Sequence, residues 1–119
     1  MTPIEEIIID FLNGGRLPDG VTAYAEEPTD KRPGSSLAFV LVSETGGGGR
    51  HIYTSKIAVQ SYAPTKYRAA QLSEVVKAGM ESLSEISEIT DSVLDSSYYF
   101  PEENRRRHRY QVVFDVTHY

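Results

Sequence analysis

Near the end of the chain, residues 108–118 read HRYQVVFDVTH and alternate between apolar and polar side chains. An alternation with a period of two is typical of a β-strand, because successive side chains point to opposite faces of a sheet. The apolar set that points one way comprises Tyr110, Val112, Phe114 and Val116, and the opposite set comprises Arg109, Gln111, Asp115 and Thr117. The pattern predicts a strand from His108 to His118.

A long amphipathic helix is predicted upstream of this strand, over residues 65–88. Pro64 and Thr65 stand where a helix begins. The apolar positions then recur in steps of three and four along one face. They are Ala69, Leu72, Val76, Gly79, Leu83 and Ile86. We expect this face to pack on the sheet.

A shorter helix is predicted at the N-terminus, over residues 3–13. Thr2 caps it, with Glu5 completing a capping box, and Pro3 suits the first helical position. Gly14 and Gly15 supply a left-handed stop. One apolar stripe for packing on a sheet is formed by Ile4, Ile7, Ile8, Phe11 and Leu12.

The remaining segments predict four more strands. The strand over 37–43 is apolar through Val42 and is expected to be central. It should form an antiparallel hairpin with the strand over 51–62, and a glycine-rich tip connects the two strands. A short strand over 21–26 and a weaker one over 92–99 complete the set. The element order is α-β-β-β-α-β-β. We therefore expect a single α+β domain over 1–119, with a mixed, mainly antiparallel sheet of four to five strands packed by two helices.

The amino-acid composition excludes several classes of function. Hydrophobic residues make up 39% of the 119 residues, as in a soluble globular domain. The sequence has no cysteine, which excludes disulfides, thiolate catalysis and sulfur-ligated metals. The formal net charge of -5 argues against a general nucleic-acid-binding surface. No apolar run approaches the roughly 18 residues of a membrane span, and the N-terminal sequence is unlike a secretion signal, so we expect a cytoplasmic product.

The charges are strongly segregated along the chain. Between Glu81 and Glu103 there are seven acidic residues and no lysine or arginine. Immediately afterwards come Arg105, Arg106, Arg107 and Arg109. This arrangement is typical of one half of a charge-complementary contact, and the alternative is a solvated charged loop.

Glu81, Glu85 and Glu88 are spaced by four and three, which puts them on one face near the end of the predicted helix. Carboxylates there repel one another and oppose the helix dipole, by roughly 0.3–1 kcal/mol each. One interpretation is that this face is solvated and tolerates the repulsion. The alternatives are that cations of a partner bind the glutamates, or that the glutamates serve to repel a polyanion.

No catalytic, metal or cofactor site is legible in the sequence. His108 and His118 are about 33 Å apart on one strand, and no serine lies in a nucleophile turn. The glycines before Arg50 do not form a phosphate-binding loop, because a strand follows them where a helix is required. A hairpin tip that orders on a partner is compatible with them, so Gly47, Gly48 and Arg50 join the arginines and glutamates as candidate interface residues.

The final residues also carry a resemblance. The run YQVVFDVTHY at 110–119, in a chain that has IAVQSY at 57–62 followed by a long helix, resembles the tail terminator proteins of long-tailed bacteriophages, which are often called minor capsid or tail completion proteins. The similarity covers roughly residues 37–119. It implies an α+β subunit that forms a ring, commonly a hexamer, on the head-proximal end of the tail tube, without catalysis, cofactor or metal.

This resemblance implies a virion location at the head–tail junction, after assembly in the host cytoplasm. The implied partners are further copies of the chain, the tail tube protein and the head-completion or connector protein, with phage DNA passing through the lumen and no membrane contact. Three alternatives stay open: a head-completion or connector protein, a monomeric α+β ligand-binding module, and an enzyme with an unrecognised site.

Overall fold

The computed structural model confirms the α+β class and the predicted order of elements. It describes residues 3–26, 38–48, 53–101 and 107–119. The helices are α1 (Ile4–Asn13) and α2 (Lys66–Glu81), and α2 is followed by a single 3₁₀ turn (Leu83–Glu85). The strands are β1 (Ala23–Tyr24), β2 (Phe39–Gly48), β3 (Tyr53–Ala63), β4 (Ile89–Tyr99) and β5 (His108–His118).

The five strands form one mixed sheet in the order β1-β2-β3-β5-β4. Only β1 pairs in parallel with its neighbour, and the other three pairings are antiparallel. β3 lies at the centre and pairs with β5 along its whole length, from Tyr53 opposite His118 to Ala63 opposite His108. The predicted hairpin of β2 and β3 and the predicted bounds of β5 are therefore confirmed.

Both helices pack on one face of the sheet, which we call the helical face. Its core combines alternate residues of β2, β3 and β5 with the apolar sides of α1 and α2. At the crossing of the helices, a Cβ placed on Gly79 would lie 3.0 Å from the fully buried Leu12 side chain. The opposite face, which we call the reverse face, carries no helix among the described residues.

Two helix boundaries differ from the sequence prediction. α2 begins as expected, since the Thr65 side chain accepts a hydrogen bond from the backbone N–H of Arg68, but it ends at Glu81 rather than at residue 88. The chain turns there because Leu83 is buried in the core and β4 must begin at Ile89, where it pairs with the end of β5. In α1, Pro3 is the N-cap rather than the first helical residue, and Thr2 lies outside the described residues.

Strand bounds also shift. β1 is shorter than predicted and β4 is longer, and β2 continues through three glycines to Gly48. Gly47 has a φ of 155°, and a Cβ there would lie 2.6 Å from the carbonyl oxygen of Thr54. Glycine is therefore required at position 47 for β2 to approach β3 this closely, and the paired hairpin extends beyond its predicted end.

Candidate functional site

One end of the sheet carries Arg107 and Arg109, two arginines of the charge-segregated stretch. Arg109 is the second residue of β5 and lies on the reverse face, directly opposite Tyr62 of β3. Its Nε donates to the carbonyl oxygen of Phe100 at 2.8 Å, and its guanidinium lies 4.0 Å from the centre of the Phe100 ring. A second nitrogen donates to the Tyr62 hydroxyl at 3.3 Å. Arg109 thus holds the end of β4 against β3.

Arg107 lies beside it over two aromatic rings. Its guanidinium is 4.7 Å from the ring centre of Tyr62 and 5.6 Å from that of Phe39. These two rings stack on each other with centroids 4.6 Å apart. A guanidinium on aromatic rings keeps its charge while its flat faces are desolvated, which favours recognition of carboxylates. We call Arg107 and Arg109, with Tyr62 and Phe100, the arginine end. Arg105 and Arg106 lie outside the described residues.

A chain of amide and hydroxyl hydrogen bonds runs across the reverse face next to this end. The Tyr62 hydroxyl donates to Gln60, and Gln60 donates to Gln111 on the adjacent strand at 2.9 Å. Gln111 in turn donates to the hydroxyl of Tyr98 on β4 at 2.6 Å. The network connects three strands and fixes the aromatic rings that support the arginines.

The other end of the sheet carries the three glutamates. Glu81 is the last residue of α2, Glu85 lies in the 3₁₀ turn and Glu88 lies just before β4. They do not share a helix face, so that prediction is wrong, because α2 stops before two of them. Glu85 forms an ion pair with Arg16 of the same chain at 2.9 Å. We call Glu81, Glu85 and Glu88 the acidic end.

The two ends are far apart within one molecule. Glu88 is held beside the end of β5, where its carbonyl oxygen accepts the backbone N–H of Tyr119 at 3.1 Å. Arg109 lies at the beginning of β5. The strand between them has 11 residues, which at about 3.3 Å per residue separates the ends by roughly 30 Å. The arginine end and the acidic end therefore do not neutralise each other within the chain.

The candidate residues at the hairpin divide between described and undescribed positions. Gly47 and Gly48 belong to the end of β2, and Arg50 lies outside the described residues. The two glycines line a groove of about 520 Å³ together with the start of α1, Tyr53 of β3 and Tyr119. The groove lies at the same end of the sheet as Glu88.

The groove contains a contact that the sequence did not reveal. Ser55 and His118 lie on neighbouring strands, and the Ser55 hydroxyl is 2.8 Å from Nε2 of His118. The other ring nitrogen of His118 is 3.3 Å from the carbonyl oxygen of Tyr119. No carboxylate among the described residues is bonded to His118, and Ser55 is only 2% exposed. The pair lacks the acidic partner and the exposed nucleophile of a hydrolase.

A charge cluster occupies the middle of the reverse face. Lys56 of β3 donates to Asp115 of β5 at 3.0 Å and to Asp95 of β4 at 3.2 Å. The hydrogen bonds to Asp115 and Asp95 raise the pKa of Lys56 above its ordinary value.

Within the described ranges, no group of three or more histidine, aspartate or glutamate side chains is arranged to hold a metal ion. The absence of a metal remains a prediction, which elemental analysis of dialysed protein tests.

Comparison with known proteins adds no assignment. No family model matches the sequence, and no curated protein matches it either. Among the described helices, none has the length and apolar character needed to cross a membrane. The functional interpretation therefore depends on the two charged ends of the sheet and on the surfaces between them.

Proposed function

We propose that the chain is a structural protein of a phage virion, a tail terminator that caps the head-proximal end of the tail tube as a ring of identical subunits. In this position it stops tube growth and provides the surface for head attachment. The observation that carries the proposal is the placement of the arginine end and the acidic end at opposite ends of one sheet, and the resemblance of residues 37–119 to tail terminators gives it its biological setting.

A ring needs two different surfaces on each subunit, because identical copies close into a ring through head-to-tail contacts. The arginine end is one such surface and the acidic end is the other. Glu81 and Glu88 are better partners than Glu85, whose carboxylate already bonds Arg16. With a net charge of -5, the chain also has further carboxylates, and those that face the lumen rather than a neighbouring subunit let DNA pass without adhering, since like charges repel.

Charge reversal with compensation tests the ring contact. Arg107→Glu should weaken assembly on tail tubes, and Glu81→Lys with Glu88→Lys in the same chain should partly restore it. Exposed pairs contribute only about 0.2–1 kcal/mol each, but a ring repeats the altered contact at every subunit boundary, so the losses add up to a measurable one. Salt at about 1 M, which shortens the screening length to roughly 3 Å, should mimic the reversal. Arg68→Glu on the exposed side of α2 is the matched control.

Electron microscopy of the virus provides the functional test. A phage that lacks this gene should produce filled heads and separate tails of irregular length, and the wild-type chain supplied from a plasmid should restore joined virions. Normal tails together with heads that leak DNA would instead identify the head-completion protein. Normal virions in the absence of the gene would contradict both assignments.

A monomeric ligand-binding module is the second candidate, and the groove beside Ser55 and His118 favours it. Its volume of about 520 Å³ is within the range of small-molecule sites. Sedimentation of the chain with tail tube protein separates the two candidates. A strict monomer that does not associate with the tube would support the module and exclude the ring.

A further inference from the structure

The two edges of the sheet are protected very differently. On the β2 side, β1 pairs with Val40 and Leu41, and the backbone N–H of Glu44 donates to the side chain of Glu5 at 3.1 Å. On the other side, β4 runs for 11 residues, and no described strand pairs with its outer edge. Among the described residues, the β2 edge is therefore covered from Val40 to Glu44, whereas no strand is paired with the outer edge of β4.

Four large apolar side chains are exposed along the open edge. Val93, Leu94 and Tyr98 of β4 are 52%, 37% and 43% exposed, and Phe100 directly after the strand is 38% exposed. β4 contains no proline or lysine, two residues that commonly prevent an edge from pairing with another chain. Its edge protection consists of two register shifts and the carboxylates Asp91 and Asp95, and Asp95 is already paired with Lys56. A long exposed edge of this kind is a template for an added strand.

The hydrogen-bond pattern shows which groups of β4 face outwards. The N–H of Phe100 donates inwards to the carbonyl oxygen of Arg109. Inward and outward residues alternate along an antiparallel strand, and the β4 register shifts by one residue between Leu94 and Ser96. The outward-facing residues are therefore Ser92, Leu94, Ser97 and Tyr99. The N–H of Ser92 donates to the carboxylate of Asp91 at 2.9 Å, so strand pairing at this position replaces that hydrogen bond.

We propose that a second copy of this chain docks on the β4 edge, with the two β4 strands antiparallel about a two-fold axis between Asp95 and Ser96. The occupant follows from the edges of the described sheet, because β4 is the one long strand there whose outer edge has no strand or side chain paired with it along most of its length. In this register Ser92 lies opposite Tyr99 and Leu94 lies opposite Ser97. Every outward-facing residue of one copy thus meets an outward-facing residue of the other.

The side chains fit the same register. Val93 and Tyr98 both lie on the reverse face, since they pair with Asp115 and Gln111, and Val93 of one copy lies opposite Tyr98 of the second copy. Two of the most exposed apolar side chains thereby cover each other, and the two-fold axis repeats this contact at a second position.

The charges are complementary in this arrangement. Asp91 of one copy lies opposite Phe100 of the second copy, and the guanidinium of Arg109 is stacked on that ring at 4.0 Å. Antiparallel pairing thus brings the arginine end of each copy next to Asp91 of the other. Asp95 lies near the two-fold axis, where the ion pair with Lys56 reduces its repulsion from the same residue of the second copy. The inference concerns the free protein and does not depend on the proposed role in the tail.

Disulfide trapping tests the register directly, because the chain has no cysteine of its own. The double variant V93C/Y98C places two cysteine pairs across the contact at non-hydrogen-bonded positions, where Cα atoms are about 4.5 Å apart and a disulfide can form. Within one chain these residues are about 16 Å apart along β4 and cannot bond. Under mild oxidation the double variant should become mainly a covalent dimer, whereas V93C alone and Y98C alone should not.

Charge on the edge provides an independent measurement. V93K should convert the sedimenting species from dimer to monomer, and V75K, at a valine 37% exposed on α2, should leave the dimer intact. A native chain that is monomeric at millimolar concentration would overturn the proposal. So would a double variant that folds, as judged by circular dichroism, but forms no covalent dimer. Cross-linking of V93C alone would overturn the register, because that requires the two Val93 positions to face each other.

Discussion

Replacement of Arg109 by alanine should destabilise the fold itself, in addition to any effect on a partner. The side chain is half-buried and donates a 2.8 Å hydrogen bond to the Phe100 carbonyl while stacking on the Phe100 ring. A hydrogen bond from a charged donor contributes about 1.5–3 kcal/mol, and an exposed cation–π contact contributes about 0.5–1 kcal/mol. Taking the lower values, we expect the free energy of unfolding to fall by about 2 kcal/mol. For 119 residues this corresponds to a decrease in Tm of roughly 6–10 °C.

Denaturant unfolding at low protein concentration, followed by circular dichroism, measures this loss without interference from association. Arg109→Lys preserves the charge but not the planar group, so it should lie between alanine and the wild type. Arg68→Ala, which removes an exposed arginine from the first turn of α2, should stay within about 0.5 kcal/mol of the wild type. If Arg109→Ala unfolds with the wild-type free energy, Arg109 does not hold β4 against β3, and its contacts contribute nothing to the fold.

Three further predictions concern stability and ionisation. Leu12→Ala should lower the free energy of unfolding by about 3 kcal/mol, because the side chain is fully buried, and denaturant titration measures this. Thr65→Ala should lower it by about 1 kcal/mol in the same assay, since the backbone N–H of Arg68 loses its cap. Asp115→Asn should lower the pKa of Lys56 towards its ordinary value, as followed by NMR of the lysine side chain. Because the folded-state pKa of Lys56 is raised, its contribution to stability is present below the ordinary lysine pKa and is lost as the pH rises through the raised value.

The fold was largely predictable because its strongest signals are local. The alternation over 108–118 depends on one strand with one buried side, and the structure has β5 at those residues. The cap at Thr65 depends on one side chain and one backbone N–H three residues later. The end of α2 was not predictable in this way. Leu83 and Ile86 continue the apolar spacing of the helix, and only the tertiary demand that β4 begin beside the end of β5 ends the helix at Glu81.

The candidate surfaces were predictable only as lists of residues. Charge segregation is visible in the sequence, but its separation into two distant ends follows from the long β4–β5 pairing. The contact of Arg109 with Phe100 and that of Ser55 with His118 join residues 9 and 63 positions apart. Ser55 and His118 both extend apolar alternations of their strands. The alternation therefore predicts that both side chains lie on the core side of the sheet. Their contact with each other could be predicted only if the register of β3 against β5 were known.

The edge-paired dimer and the head-to-tail ring compete for the same arginine end. In the dimer, Arg109 lies next to Asp91 of the second copy, whereas in the ring the same end faces Glu81 and Glu88 of a neighbour. One copy cannot make both contacts at once, so a subunit must leave the dimer before it joins a ring. By mass action, the monomer concentration then rises only as the square root of the total concentration. The initial rate at which wild-type protein caps tail tubes should therefore depend less steeply on concentration than that of V93K, which stays monomeric. Equal concentration dependence of the two proteins would show that the β4 edge and the arginine end act independently.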